Sequence, residues 1–195
     1  MKKRKTLIIT LFLIVVIFLS VYAVLPAKNV QYYTYSQNKS VAESLLNIGG
    51  AKLHNKFLEL TLNEGNVNEI LSSIDNLQQY RVVLNDSDAD FHIPMTVMKV
   101  IKTDIDVKFD VKVENNKLKF TVKESRFGKM NIDNKRVLEY VKDGAYNDIN
   151  VEKSGNDIYV SCKYLIFEDA KIKNNELFVK TSIDIKGILN SLKNL

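Results

Sequence analysis

The chain is poor in the residues that carry most recognisable chemistry. A single cysteine, Cys162, excludes an intrachain disulfide, and its distance from the N-terminus excludes lipid attachment of the lipoprotein kind. Cys162 falls in the apolar-rich strand pattern Ile158-Tyr159-Val160-Ser161-Cys162, where a small buried hydrophobe is expected rather than a reactive thiol. The two histidines, His54 and His92, stand far apart and belong to no H-E-x-x-H or paired Cys/His arrangement. A zinc site would need further ligands that the sequence does not place. Seven glycines leave little bare backbone for phosphate cradles, and there is no G-x-S-x-G, glycine-rich phosphate loop or Cys-x-x-Cys. Carboxylates are plentiful, but spacing alone does not bring two of them together for glycosidic chemistry. The expectation is a protein that is not an enzyme, with no catalytic residue, cofactor or metal ligand.

Long apolar runs are also scarce, with one exception. Leu7–Leu25 is apolar apart from Thr10, Ser20 and the phenol of Tyr22. As a helix it would rise about 28 Å, near the thickness of a bilayer's hydrocarbon core. Lys2, Lys3, Arg4 and Lys5 precede it without an acid, which predicts a cytoplasmic N-terminus and an exported remainder. A cleaved secretory signal is the competing reading, with small residues offered at Ala23 and Ala27, but the run exceeds the usual signal core. Those four cations supply most of the net charge of +5. Beyond them charges alternate in sign, so no nucleic-acid partner is expected.

The rest reads as a stalk and one domain. Residues 26–50 carry Tyr32, Tyr33 and Tyr35, then a capping box, Ser40-Val41-Ala42-Glu43, that predicts a short helix at 40–48 before Gly49-Gly50. From residue 51 strands dominate. Leu58, Leu60 and Leu62 alternate with polar residues. A helix capped by Asn66 is predicted to about Gln79, with Val67, Ile70, Leu71, Ile74 and Leu77 on its apolar face. Thr103–Val113 is the clearest strand: Ile105, Val107, Phe109, Val111 and Val113 oppose Asp104, Asp106, Lys108, Asp110 and Lys112, predicting one covered and one wet face. Asn115-Asn116 turns it into Leu118, Phe120 and Val122. A second helix is predicted from an Asp133 cap. Hairpins are predicted around Ser154-Gly155-Asn156-Asp157 and Lys173-Asn174-Asn175-Glu176, and Asp184 is predicted to cap a closing helix. Lys112–Leu118 and Lys171–Leu177 echo one another, which duplication or convergent turn chemistry explains equally. Asp86, Asp88 and Asp90 resemble the start of a calcium loop, but its sixth and twelfth places hold Phe91 and Val97. The triplet is expected to form the solvent face of a strand.

This order of features resembles the YpmS family, membrane-anchored proteins of Gram-positive bacteria without an assigned activity. The resemblance rests on the span, on Tyr80, Val82 or Val83, Leu84 and Asp86, on Phe91-His92-Ile93-Pro94, on the Ile105–Val122 hairpin, and on Glu124-Ser125-Arg126-Phe127-Gly128-Lys129. Asn131-Ile132-Asp133 departs from the proline-bearing entry to the second helix typical of that family. The resemblance implies an exported domain on a tether and carries over no active-site residue.

The fold expected is α+β: residues 1–6 a basic tip, 7–25 a transmembrane helix, 26–50 a stalk, and 51–195 an extracytoplasmic domain of curved antiparallel sheet with about three packed helices. Leu58, Leu60, Ile105, Val107, Phe109, Leu118, Phe120 and Val122 are expected either to fill a solid core or to line an apolar groove. The leading functional expectation is a non-catalytic module at the cell membrane, binding lipid or another apolar ligand. The alternative is an envelope scaffold acting through protein–protein contacts.

Overall fold

The computed structural model describes residues 2–28, 30, 51–54, 57–72, 79–139, 141, 143–146, 149–163 and 165–183, with residues 2–11, 53, 54, 145, 146 and 183 described by backbone alone. The helix expected at 40–48, Tyr32, Tyr33 and Tyr35 of the stalk, and the closing helix after Asp184 lie outside the described residues.

A long helix, α1 (Lys2–Val24), leads into an antiparallel sheet of β1 (Ala51–His54), β2 (Phe57–Asn63), β3 (Arg81–Leu84), β4 (Ala89–Val97), β5 (Ile101–Glu114), β6 (Lys117–Phe127), β7 (Met130–Ile132), β8 (Gly144–Tyr146), β9 (Ile149–Ser154), β10 (Asp157–Cys162), β11 (Leu165–Lys173) and β12 (Glu176–Ile183). Two short helices are inserted, α2 (Glu64–Ser72) after β2 and α3 (Asn134–Leu138) after β7. The main order is β1-β2-β12-β11-β10-β6-β5-β4-β3, with β7 on β6 and β8-β9 on β10. The architecture is therefore sheet-dominated α+β. β10 and β11 share one pairing, Cys162 with Leu165, and at that corner the sheet turns back on itself. Phe167, Ala170, Ile172 and Val179 of β11 and β12 thereby pack on Val82, Leu84, Ala89 and Val111 of β3–β5.

Apart from Leu58, the expected apolar residues are spread over two packed clusters. Leu60, Phe109, Leu118 and Phe120 lie against the first. Val107 and Val122 form the second with Val137 and Leu138 of α3, and Ile105 packs on it. Leu58 is half-buried on β2, opposite Thr181.

Asn115, Asn116, Asn174 and Asn175 all adopt positive φ, as two-residue hairpin turns demand. Asp133 caps α3 by accepting from the Lys135 N–H at 3.0 Å. The expected Asn66 cap is corrected. Asn63 is the cap of α2, and the Asn63 and Asn66 side chains each accept from the other's backbone N–H, so Asn66 closes a capping box from inside the helix. The aspartate triplet is corrected too. Asp86 and Asp88 lie in the turn between β3 and β4, and only Asp90 is in a strand, where it is buried.

Among the described residues, no helix is long and apolar enough to cross a membrane. The described side chains of α1 begin at Phe12. Those side chains are exposed on every side of the helix, Phe12, Ile17 and Phe18 among them, as far as Tyr22.

Candidate functional site

The register of one hairpin builds the site. β4 and β5 pair with Val97 opposite Ile101, which sets His92 opposite Asp106 and Pro94 opposite Asp104. Partners directly across an antiparallel pair project to the same face, so His92, Asp104 and Asp106 converge. On β6 an extra residue, Lys123, interrupts the register: Phe109 faces Val122, whereas Lys108 faces Glu124. This bulge shifts the side-chain alternation by one residue. It keeps Val122 in the core and adds Glu124 and Arg126 to the face that holds Asp106 and Lys108.

The expected wet face of β5 is thus covered at its beginning. Asp104 is 2% exposed, Asp106 is 7% exposed and His92 is fully enclosed. His92 Nδ1 is hydrogen-bonded to Asp106 Oδ1 and lies 3.9 Å from Asp104 Oδ2. Burial, then the neighbouring charge of Asp106, pushes the Asp104 carboxyl up to about 6, although His92 pulls the other way. His92 Nε2 and Asp104 Oδ1 have no hydrogen-bond partner among the described residues. Next door, Asp90 is paired with Lys28. Burial would raise the Asp90 carboxyl, but Lys28, Asn85 and Lys108 together hold it below its ordinary value. A pocket of about 160 Å³ opens here, lined by Lys28, Asp90, Asp106, Lys108, Glu124 and Arg126. Asp106 belongs to both the enclosed cluster and this charged pocket.

The same end of the sheet receives α1. The last carbonyls of a helix have no partner within it. Here Ala23 accepts from the Lys129 N–H at 2.9 Å, and Val24 accepts from Thr103 Oγ1. The Lys129 ammonium stands 3.4 Å from the centre of the Tyr22 ring, adding a cation–π contact and a charge that suits a helix C-terminus. Gly128 makes the close approach possible. Its φ is +57°, and a Cβ there would come within 2.7 Å of the Val24 carbonyl carbon.

Of the polar residues weighed from sequence, Asp90 lines the pocket and His92 joins the cluster. Cys162 is half-buried in β10 among the residues packed on the first core cluster, and the side chain of His54 lies outside the described residues. The partners that a histidine site lacked are Asp104 and Asp106. Their signal was the hairpin register, since residues equally far from a Val97–Ile101 closure face one another. No family model, curated protein or solved structure matches this chain.

Proposed function

We propose that this protein is a membrane-tethered, non-catalytic module of the cell envelope, resembling the YpmS family, with α1 in the bilayer and the sheet domain outside. A helix that is apolar all round suits lipid better than water. The observation that carries the reading is the rim around the seat of α1. Met98 and Val100, in the β4–β5 turn, are 83% and 81% exposed, and Met95 and Met130 are partly exposed beside them. Met95 pairs with Thr103 and Met130 follows Lys129, so these two border residues that hold the helix, and Met98 and Val100 lie in the turn that closes the same β4–β5 hairpin. Exposed Lys99, Lys102 and Lys129 are interleaved with them. Apolar tips among lysines suit the boundary between acyl chains and headgroups, where the tips enter and the ammonium groups reach phosphate. The module therefore engages lipid at this rim rather than through an apolar groove.

The test uses the full chain in liposomes, with Cys162→Ser and an environment-sensitive fluorophore at Met98→Cys or Asn115→Cys. The Met98 probe should emit to the blue and resist a water-soluble quencher, while the Asn115 probe is quenched freely. Equal quenching of the two would overturn the reading. An envelope scaffold is the second reading. It is favoured by β1, which ends the sheet order with no further strand beside it among the described residues. Crosslinking from β1 in intact cells that returned only this protein would count against it.

A further inference from the structure

We infer that His92, Asp104 and Asp106 form a binding site for a divalent first-row transition ion, of the zinc or manganese class. One nitrogen and two carboxylate oxygens, one from each residue, all lie within 4.8 Å of one another, and all three residues are buried. A zinc ion about 2.0–2.2 Å from each donor would hold neighbouring donors roughly 3.3 Å apart. The donors thus come together by side-chain rotation, with the His92–Asp106 hydrogen bond exchanged for two metal bonds. The donor set fixes the class. Imidazole with carboxylates suits zinc, manganese or iron, whereas calcium would call for six or more oxygens.

Two features point to an ion rather than a self-contained polar core. First, two carboxylates side by side in an enclosed site face a single imidazole, so with both ionised even protonated histidine leaves a negative excess away from water, which a cation or a further proton must offset. Second, Asp104 has an oxygen, Oδ1, that is buried without a hydrogen-bond partner among the described residues, although native cores satisfy nearly all such atoms. The pocket containing Asp106 supplies an entrance, and its lysines and arginine are already matched with acids: Lys28 with Asp90, Arg126 with Glu124, and Lys108 near Asp88 and Asp90. The inference is independent of where the domain sits relative to a membrane.

The experiment uses the full chain in detergent, stripped with chelator and titrated separately with Zn²⁺, Mn²⁺ and Co²⁺. One equivalent of at least one ion should bind saturably and raise the melting temperature by about 5 °C or more. Asp104→Asn and His92→Gln should lose this response, whereas Asp86→Asn, on the exposed turn, should retain it. No binding by any of the three ions at a hundredfold excess over protein would overturn the site, leaving a polar core held by protons. Binding unchanged in folded Asp104→Asn would also overturn it. Should the core variants fail to fold, X-ray absorption at the zinc edge of the wild-type chain decides. One imidazole with oxygen donors supports the site, and none, two or a sulfur donor overturns it.

Discussion

Single residues close the ends of this fold where backbone would otherwise be stranded. Asn68 of α2 is the plainest case. Its Nδ2 donates to the Val82 carbonyl at 2.7 Å and its Oδ1 accepts from the Val82 N–H at 2.8 Å, so one side-chain amide pairs with the outer edge of β3 as a further strand would. Nδ2 also donates to the Glu64 carbonyl at 2.8 Å, tying the edge to the start of the helix. Replacement with leucine keeps the branched heavy-atom shape and strands both groups of Val82 in a buried site. Asn68→Leu should therefore cost about 2–4 kcal/mol, read as a lower denaturant midpoint with an unchanged slope. Gly128 is a second case, and Gly155 provides its control. Both have φ near +60°, but a Cβ at Gly155 meets nothing within 4 Å, whereas one at Gly128 meets the backbone of α1. Alanine at Gly155 should cost about 1 kcal/mol from backbone conformation alone. Alanine at Gly128 should cost more and also unseat the helix. Hydrogen exchange at the Lys129 amide, which bonds Ala23, should quicken markedly in Gly128→Ala and stay unchanged in Gly155→Ala.

Elements differ in how plainly they are written in the chain, and turn chemistry decides it. β5, β6, β11 and β12 are legible because Asn-Asn supplies the left-handed residues their hairpins need, and strict alternation supplies the faces. β4 is not. Its sequence, Ala-Asp-Phe-His-Ile-Pro-Met-Thr-Val, keeps no clean period, and its turn into β5 places Met98 and Lys99 at positive φ, where no glycine or asparagine marks it. With that turn hidden, the register that sets His92 against Asp106 was hidden too. β5 is thus legible while the strand that brings His92 to it is not. The start of α2 is ambiguous in the sequence for a smaller reason, because both members of a reciprocal Asn pair look like caps and only one stands outside the helix.

At the far end of β5 and β6 the polar face behaves as alternation predicts, and it carries a pH dependence of its own. Lys119 reaches Glu114 at 2.8 Å and Asp157 at 2.9 Å, linking the β5–β6 hairpin to β10. Burial works to raise the Asp157 carboxyl, but the Thr121 hydroxyl and the Lys119 ammonium outweigh it and leave Asp157 below its ordinary value. A depressed carboxyl stabilises the fold above the unfolded-state value, about pH 4, and that contribution fades as pH falls through the folded value. Asp157→Asn should therefore lower stability at neutral pH and flatten the acid-side fall below about pH 4. Denaturant midpoints measured across pH 2–7 check both statements.

For the whole molecule, the arrangement of charge, apolar surface and helix seat constrains how the chain can lie. Lys2, Lys3, Arg4 and Lys5 stand at one end of α1, and the Thr103–Gly128–Lys129 seat grips the other. β5 leads away from that seat, so the Asn115-Asn116 turn lies about 40 Å along the strand from Thr103. If α1 crosses the bilayer with its cationic end inside, the rim of Met98, Val100 and Met130 meets the outer headgroups while the Asn115 and Asn174 turns stand in the aqueous phase beyond. With Cys162→Ser as background, Asn115→Cys and Asn174→Cys should react with a membrane-impermeant maleimide on intact cells to the same extent as after lysis. Lys3→Cys should react only once the cells are opened. Labelling of Lys3→Cys on intact cells, with the two distal turns protected until lysis, would reverse the orientation and place the rim against the inner leaflet. The grip on α1 by Thr103 and Lys129 would stand either way, because it depends on helix carbonyls and not on which compartment surrounds the domain.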